Sequence, residues 1–408
     1  MVQILVIDDD ATMRFLVTLV LRKQGYEILQ AKNGQEGLAL ARENAPALII
    51  CDWMMPEMDG LEVCKAIKSD PKFSATFFIL LTAREEVSDR IQGLDTGADE
   101  FLSKPIEATE LQSRVRAGLR LYNLNQALQK LAQDLQSQKQ LLETELGEAA
   151  AYVQSLLPAP WKSEIQIKSY FLPSKQLGGD FFYYDWIHGG SENPLLRFYF
   201  LDVSGHGLRS ALLSVSIRNF LQLTSLEQRN INLSDPGKIL ALLNENFSME
   251  DHNGQYFTII YGIYDRATQC LTYANAGHPP AILLSPPLEG ELKNESQCLK
   301  ATGIPVGFMP GFQFGVERHI IRPGSKLYVF SDGIYEIIDE STGKPWGFER
   351  FAQVLEAFYD QPNLNLADLI QQIQAETKIH SFDDDCAILE LNLGQVIDSG
   401  LSTESEKI

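Results

Sequence analysis

Five residues that together could carry out phosphoryl chemistry are spread through the first part of this 408-residue chain. They are Asp8, Asp9, Asp52, Thr82 and Lys104. A carboxylate accepts a phosphoryl group only when the negative charge of donor and acceptor is neutralised, which takes a divalent cation and a fixed ammonium group. Oxygen ligands of this kind suit Mg²⁺ or Mn²⁺ rather than zinc. The residue types therefore predict an aspartate that accepts phosphate beside one bound metal ion.

A second set of acidic residues lies in the C-terminal part of the chain, close to glycines or to other aspartates. The set comprises Gly178-Gly179-Asp180, Asp202-Val203-Ser204-Gly205-His206-Gly207, Ser331-Asp332-Gly333 and Asp383-Asp384-Asp385. Glycine permits tight turns and close approach of backbones, so these aspartates can converge on one rim. Two hard cations held by carboxylates lower the pKa of bound water enough to give a nucleophile near neutral pH. This set predicts hydrolysis of a phosphoester without a covalent intermediate.

The elements that must position the first set follow from the apolar runs before them. Residues 4–7, 47–51 and 77–81 are typical of buried strands, and each run is followed by a segment of helical length. This alternation predicts a doubly wound parallel sheet over residues 1–122. Because ligands bind beyond the carboxyl ends of such strands, the five residues are expected at one edge of the sheet.

A leucine repeat follows the predicted sheet. The leucines are spaced alternately three and four residues apart, at Leu121, Leu124, Leu128, Leu131 and Leu135. This spacing is typical of a short coiled coil, so residues 123–157 are predicted to form a helical linker. The same register puts Gln138 on the leucine seam, and the repeat weakens before Pro158. The alternative interpretation is a single amphipathic helix packed on its own N-terminal domain.

The rest of the chain is rich in predicted strands. Apolar runs at residues 196–203, 257–264, 270–274, 326–330 and 387–391 alternate with helical stretches near 208–224, 236–249 and 348–377. Residues 158–394 are therefore predicted to form an α/β sandwich, with the second set of aspartates at or beside strand ends. Residues 395–408 are expected to be a polar tail.

The first 122 residues resemble the receiver domains of two-component systems. The resemblance rests on the run Asp-Trp-Met-Met-Pro-Glu-Met-Asp-Gly that begins at Asp52, and on the Lys104-Pro105 pair. It implies a flavodoxin-like fold, Asp52 as the phosphoacceptor and a sensor histidine kinase as the partner. The implied roles of the other residues are metal binding by Asp8, Asp9, Asp52 and the Met54 carbonyl, phosphoryl contacts by Thr82 and Lys104, and switching by Phe101.

Residues from about 150 to 393 resemble the metal-dependent phosphatase family, in its bacterial RsbU/SpoIIE-type branch. The segments Gln154-Ser155-Leu156-Leu157-Pro158 and Asn275-Ala276-Gly277-His278-Pro279-Pro280 strengthen that resemblance. It implies two Mg²⁺ or Mn²⁺ ions and a phosphoserine or phosphothreonine protein substrate, of which an anti-sigma-factor antagonist of the STAS type is the expected example. Asp202 would bridge the ions, with Asp180 and the Val203 carbonyl on one ion and Asp332 and Asp384 on the other.

Two positions depart from that family pattern or leave it open. The triple aspartate allows Asp383 or Asp385 to take the role of Asp384, and Ala387 stands where the family often has threonine. His206 and His278 are expected to shape loops rather than to transfer protons. A non-catalytic, phosphorylation-dependent binding module is therefore an alternative function. A diguanylate cyclase is another, because Gly178-Gly179-Asp180 looks like part of its signature, but Phe181 stands where those enzymes need glutamate.

The composition of the chain limits the classes of partner that it can bind. A net charge of −20 opposes nucleic acid binding, and no apolar run approaches the about 18 residues of a membrane span. A cytoplasmic protein without nucleic acid or membrane partners is therefore expected, with its five cysteines as core thiols. Since the two predicted sites are far apart in sequence, the linker is predicted to couple them through a parallel homodimer, with phosphorylation changing the phosphatase rate.

Overall fold

The computed structural model describes residues 2–83, 96–162, 165–174, 177–188, 193–205, 207–222, 232–288, 293–340, 343–361 and 363–393. Contacts between Cα atoms divide the chain into two compact units, Met1–Leu141 and Leu142–Ile408. The division falls inside the predicted linker, because the end of that segment packs on the second unit. The polar tail lies outside the described residues.

The first unit contains the predicted doubly wound parallel sheet. Its strand order is β2-β1-β3-β4-β5, with all neighbours parallel. The strands are β1 (Gln3–Ile7), β2 (Glu27–Ala31), β3 (Leu48–Asp52), β4 (Phe77–Thr82) and β5 (Glu100–Ser103). The order doubles back between β1 and β3, the kind of place where such sheets bind ligands.

Helices cover both faces of this sheet. They are α1 (Ala11–Arg22), α2 (Gly34–Asn44), α3 (Gly60–Lys68) and the first turns of α4 (Ala108–Ser155). Each of the first three starts at a residue whose side chain accepts hydrogen bonds from the first turn: Asp10, Asn33 and Asp59. Helices α1 and α4 pack on one face, and α2 and α3 pack on the other.

The predicted helical linker is the continuation of α4, which runs without a break through 48 residues. Its seam leucines are exposed to solvent, from 46% at Leu121 to 65% at Leu135. The alternative of a helix packed on its own N-terminal domain does not fit these exposures. Further along, Leu146, Ala149, Ala150 and Val153 belong to the second unit and pack with its Leu177 and Ala211.

The second unit is an α/β sandwich, as predicted. One sheet has the order β14-β11-β10-β9-β8 and the other β13-β12-β15-β18-β7-β6. The strands are β6 (Trp161–Lys162), β7 (Gln166–Leu172), β8 (Phe181–Ile187), β9 (Leu195–Val203), β10 (Phe257–Asp265), β11 (Cys270–Ala276), β12 (Ala281–Ser285), β13 (Glu295–Leu299), β14 (Val316–Ile320), β15 (Lys326–Phe330) and β18 (Cys386–Asn392), beside a short hairpin of β16 (Ile338–Asp339) and β17 (Lys344–Pro345).

Three apolar cores hold the sandwich together in four layers. One core lies between the two sheets, where residues such as Phe198 and Leu389 meet. The outer face of the first sheet is covered by α5 (Leu208–Leu221) and α6 (Pro236–Asn246). The outer face of the second sheet is covered by α7 (Phe348–Tyr359) and α8 (Leu366–Thr377). Burial of these faces leaves the strand ends at the rim to carry polar groups.

Within the described part of the chain, no helix is both long enough and apolar enough to cross a membrane.

Candidate functional site

Three carboxylates meet at the carboxyl edge of the parallel sheet. Asp8 and Asp9 follow β1, Asp52 ends β3, and one oxygen from each lies within 4.8 Å of the others. Asp8 is fully buried and Asp52 nearly so, while Asp9 is exposed. Carboxylates held this closely repel one another unless a cation lies between them, so the donor set fits one divalent ion.

Lys104 joins this group from the end of β5. Its Nζ lies 2.9 Å from Asp52 Oδ1 and 3.3 Å from Asp8 Oδ2. Burial alone would lower the pKa of Lys104, but the hydrogen bond and charge of Asp52, with those of Asp8, raise it. Burial raises the pKa of Asp8 against the opposing charge of Lys104. The ammonium group is therefore firmly charged beside the predicted phosphoacceptor.

The remaining residues predicted for this site lie on the same edge. Thr82 is buried at the end of β4, and its carbonyl accepts a hydrogen bond of 2.7 Å from the Lys104 amide. Met54 is exposed two residues after Asp52. Phe101 is half-buried on β5 with its ring 6.3 Å from that of Trp53, the residue after Asp52. A change at Asp52 could thus reach the Phe101 ring through one aromatic contact.

A second acidic site lies at the rim of the sandwich. Its first two parts, the turn that holds Asp180 and the strand end that holds Asp202, are joined by a close approach of their backbones. Asp180 precedes β8, and Asp202 lies near the end of the neighbouring strand β9. A Cβ atom added to Gly179 would lie 2.7 Å from the Val203 carbonyl oxygen. Only glycine allows this approach, which brings the Val203 carbonyl beside the turn that holds Asp180.

The other two parts meet in the same way on the second sheet. Asp332 starts a short 3₁₀ turn after β15, and the triple aspartate precedes β18. A Cβ atom on Gly333 would lie 2.2 Å from the Asp385 carbonyl oxygen, so glycine is required here as well. The Ser331 hydroxyl donates to the Asp385 carbonyl at 3.0 Å, and the Ala387 amide donates to the Ser331 hydroxyl. Nothing in the sequence marks Ser331 as a link between these loops.

The aspartates at this rim act strongly on one another. Burial, followed by the charges of Asp332 and Asp384, raises the pKa of Asp202 to about 8. Burial and the nearby charges of Glu336 and Asp384 raise the pKa of Asp332 to about 6. Burial, then the charge of Asp202, raises the pKa of Asp180 well above its usual range. Such shifts are typical of carboxylates gathered to share a cation.

Asp180 supplies a direct test of whether metal ions fit here. Its Oδ2 atom is buried and has no hydrogen-bond partner within the described ranges. An unpaired buried carboxylate oxygen is costly, and a hard cation is the partner that it suits. Oxygen donors from Asp180, Asp202, Asp332 and the Val203 carbonyl match the oxygen preference of Mg²⁺ and Mn²⁺. The donor types therefore fit the predicted metal ions, while among the described residues the group of three carboxylates within 4.8 Å of one another is that of Asp8, Asp9 and Asp52.

The three consecutive aspartates are in three different environments. Asp385 is buried, and its carboxylate accepts hydrogen bonds from the Ser174 amide at 2.9 Å and the Gly179 amide at 2.6 Å. Its Oδ2 thus holds the Asp180 turn, and its Oδ1 holds the Ser174 backbone. Asp384 is exposed, and its charge acts on Asp202 and Asp332. Asp383 is exposed as well. This arrangement favours Asp384 as the metal ligand and assigns Asp385 a structural role.

These environments predict three separable outcomes of substitution by asparagine. Asp385→Asn should lower the free energy of unfolding by about 2–3 kcal/mol, because the side-chain nitrogen of asparagine cannot accept a hydrogen bond and one of the two backbone amides loses its partner. Asp384→Asn should keep the stability and weaken Mn²⁺ binding, and Asp383→Asn should change neither. Urea denaturation and calorimetric Mn²⁺ titration of the three variants check this. Equal stability of all three would contradict the structural role of Asp385.

Three further residues discussed in the sequence analysis are buried in the structure and support the fold. His278 is buried, its Nδ1 lies 2.9 Å from the Thr258 hydroxyl, and burial lowers its pKa to about 3, so it is neutral. Ala387 belongs to the apolar core between the sheets. Phe181 is fully buried in another core, which leaves no support for the cyclase alternative. His206 lies outside the described residues.

Comparison with known families separates the chain into the same two parts. Residues 4–116 match the family model "Response regulator receiver domain", and residues 193–393 match "Stage II sporulation protein E (SpoIIE)". The two models therefore cover the two acidic sites, apart from Asp180.

Individual relatives match one part at a time. The DNA-binding dual master transcriptional regulator RpaA of Synechocystis sp. is 42% identical over 120 residues, which are 29% of this chain and 50% of that protein. The phosphate regulon protein PhoB of Pseudomonas aeruginosa is 39% identical over 117 residues, 29% of this chain and 51% of PhoB. The chain thus spans about half the length of the curated relatives it matches.

A solved structure supports the fold of the second unit. The SiaA-PP2C domain of Pseudomonas aeruginosa is 20% identical, with a TM-score of 0.51, over 63% of this chain and 98% of that domain. At this identity the likeness extends to the fold alone.

Proposed function

We propose that this chain, in which a receiver domain is joined to a SpoIIE-family phosphatase domain, is a response regulator whose output is the hydrolysis of phosphoserine or phosphothreonine in a protein. The observation that carries the proposal is the unpaired, buried Oδ2 atom of Asp180 within a group of carboxylates that raise one another's pKa. A binding module without catalysis would have no use for such a costly arrangement.

The chemistry follows from what the residues can hold. Asp202 would bridge two Mg²⁺ or Mn²⁺ ions, with Asp180 and the Val203 carbonyl on one side and Asp332 and Asp384 on the other. The ions would supply a hydroxide-like water and neutralise the phosphate charge. Asp385 would keep the Asp180 turn in place through the Gly179 amide. In the receiver, Asp52 would take the phosphoryl group from a sensor histidine kinase while one ion and Lys104 neutralise its charge.

One assay separates this function from the binding-module alternative. Hydrolysis of p-nitrophenyl phosphate is expected with Mn²⁺ and is expected to stop with a chelator. The resemblance to RsbU/SpoIIE-type phosphatases supports a phosphorylated anti-sigma-factor antagonist as the natural substrate. Incubation with phosphorylated antagonists from the same genome, followed by intact-mass measurement, tests that point. If the protein hydrolyses p-nitrophenyl phosphate but none of the antagonists, the proposed phosphatase activity stands and the proposed class of substrate is rejected.

Control of the second site by the first is proposed to run through α4 in a parallel homodimer. The seam leucines are unpartnered and spaced for a coiled coil, and a second copy of the same helix presents the matching surface. The far end of α4 packs against Leu177 and Ala211. Leu177 accepts a hydrogen bond from the Gly207 amide and lies three residues before Asp180. Movement of this helix end would thus reach the loops that carry two proposed metal ligands.

The seam offers a direct test of this coupling. Replacing Leu128 and Leu131 with glutamine should convert the dimer to a monomer and abolish the response of the phosphatase rate to beryllofluoride, with activation the expected sign in the unaltered protein. The basal Mn²⁺-dependent rate should remain. Light scattering and phosphatase assays with and without beryllofluoride measure both effects. The matched control is Gln126→Leu with Gln133→Leu, which lie on the same helix on the side opposite the seam. A monomeric unaltered protein, or a response that survives in the leucine variant, would reject the linker as the coupling element.

A further inference from the structure

Three apolar side chains form a small exposed surface on the sandwich, which we call the apolar ledge: Tyr256, Phe308 and Met309. Phe308 is 52% exposed and Met309 55% exposed, while Tyr256 is half-buried. The rings of Tyr256 and Phe308 meet edge to face with centroids 4.7 Å apart. Large apolar side chains exposed side by side cost solvation free energy, so a contiguous group of them indicates a binding surface.

The ledge is held in place by a buried amide. Asn244, on α6, is 4% exposed and donates from Nδ2 to the Met309 carbonyl at 2.7 Å. Its Oδ1 accepts a hydrogen bond of 2.9 Å from the Gly307 amide. One side chain thus fixes the backbone on both sides of Phe308. A surface fixed in this way loses little conformational entropy when a partner binds.

The ledge borders the loop that carries the proposed metal ligands. The Ser204 amide donates to the Tyr256 carbonyl at 2.9 Å, and the Tyr256 amide donates to the Ser204 hydroxyl at 3.1 Å. The next pair along the two strands is Phe257 and Val203. Tyr256 therefore lies directly opposite Ser204. Ser204 is two positions from Asp202, a distance of a few ångströms along a strand.

We propose that the apolar ledge binds an apolar side chain of the protein substrate next to its phosphorylated residue. This inference rests on the proposed function and names the chemistry of the sequence around the phosphoserine or phosphothreonine. The proposed metal ions attract the phosphoryl group itself, but the chain carries a net charge of −20, so charge offers no attraction to the neutral or acidic residues beside it. Apolar contact beside the metal loop is a source of affinity that does not depend on charge. A second copy of the chain is a less suitable occupant, because the leucine seam already offers it a matching surface.

The test compares substrates that differ only in the flanking residue. The substrates are short peptides with one phosphoserine among alanines, and in each peptide of the series a single leucine replaces one alanine on either side of the phosphoserine. Their rates of hydrolysis are measured in the presence of Mn²⁺. At least one leucine peptide should have kcat/KM about tenfold above the all-alanine peptide, as expected for burying one leucine side chain. Phe308→Ser with Met309→Ser should remove this preference and leave p-nitrophenyl phosphate hydrolysis unchanged.

A control variant removes exposed apolar side chains elsewhere. Ile320→Ser with Leu288→Ser alters two side chains that are 70% and 52% exposed. Ile320 pairs with Cys270, at the opposite end of β11 from the rim. This variant should keep the leucine preference. A preference that is absent from the unaltered enzyme, or that survives in the ledge variant, would overturn the proposal.

Two further measurements distinguish a failure of the ledge proposal from a failure of the proposed function and from dimerisation through the ledge. If the unaltered protein does not hydrolyse p-nitrophenyl phosphate at all, the proposed function itself is rejected rather than the role of the ledge. Light scattering of the ledge variant should show the mass of the unaltered protein. A fall to half that mass would identify a second copy of the chain as the occupant and overturn the assignment to substrate.

Discussion

Replacing Asp202 or Asp332 with asparagine is expected to lower the phosphatase turnover number about a thousandfold or more. Each substitution removes a proposed metal ligand from a site in which the charge of Asp384 acts on both carboxylates. An amide keeps the shape of the side chain but holds a divalent ion far more weakly. The measurement is steady-state hydrolysis of p-nitrophenyl phosphate across a Mn²⁺ titration, and a chelator should reproduce the loss in the unaltered enzyme.

The loss should come without unfolding. Since folding raises the pKa of Asp202 from its usual value to about 8, this carboxyl costs the metal-free protein stability at every pH above the unfolded value, because the unfolded chain releases the proton more readily. Asp202→Asn removes that cost, so the metal-free variant should be at least as stable as the unaltered protein in urea at neutral pH. Asp383→Asn, an exposed neighbour, should keep full turnover. Near-normal turnover in Asp202→Asn would show that the metal site has been assigned to the wrong residues.

Replacing Asp52 with asparagine should abolish phosphorylation of the receiver by acetyl phosphate in the presence of Mg²⁺. Asp52 is the carboxylate that Lys104 approaches most closely, at 2.9 Å, and it ends the strand next to the Asp8 strand. An amide oxygen cannot form the acyl phosphate, and the neighbouring aspartates are expected to be occupied with the metal ion. Intact-mass spectrometry should find one added phosphoryl group on the unaltered protein and none on the variant.

A nearby aspartate provides the matched control for that experiment. Asp10 is exposed and caps α1 through the Thr12 amide, a role that asparagine fills equally well. Asp10→Asn should therefore be phosphorylated to the same extent as the unaltered protein. Acid-labile phosphate that persists undiminished in Asp52→Asn would move the phosphoacceptor to another carboxylate.

The strands that carry the acidic residues could be predicted closely from the sequence. The run before Asp52 is apolar at every position, as parallel strands buried on both faces are, and the structure buries all of β3. β15 was located to the residue for a similar reason, because four of its five residues are buried. β7 was missed, since only Ile167 among its seven residues is fully buried, which leaves no clear periodic signal.

The positions of side chains around the second site could be predicted only in part. Four acidic segments pointed to one site, but the sequence left the register of the triple aspartate open. That register depends on which carboxylate meets the Gly179 amide, a contact between residues 206 positions apart. The apolar ledge is another long-range product, because Asn244 and Met309 give no sequence signal of their pairing. Local patterns cannot encode such contacts.

The unbroken course of α4 has a consequence for how proteins of this design can diversify. Each residue added to an α-helix turns everything after it by about 100°, so one insertion between Leu135 and Leu142 would rotate one end of the helix against the other. Seven added residues restore the original direction to within about 20°. Receivers should therefore be interchangeable between such chains when their linkers differ by multiples of seven, and single-residue length changes should act as regulatory mutations even where every side chain is otherwise suitable.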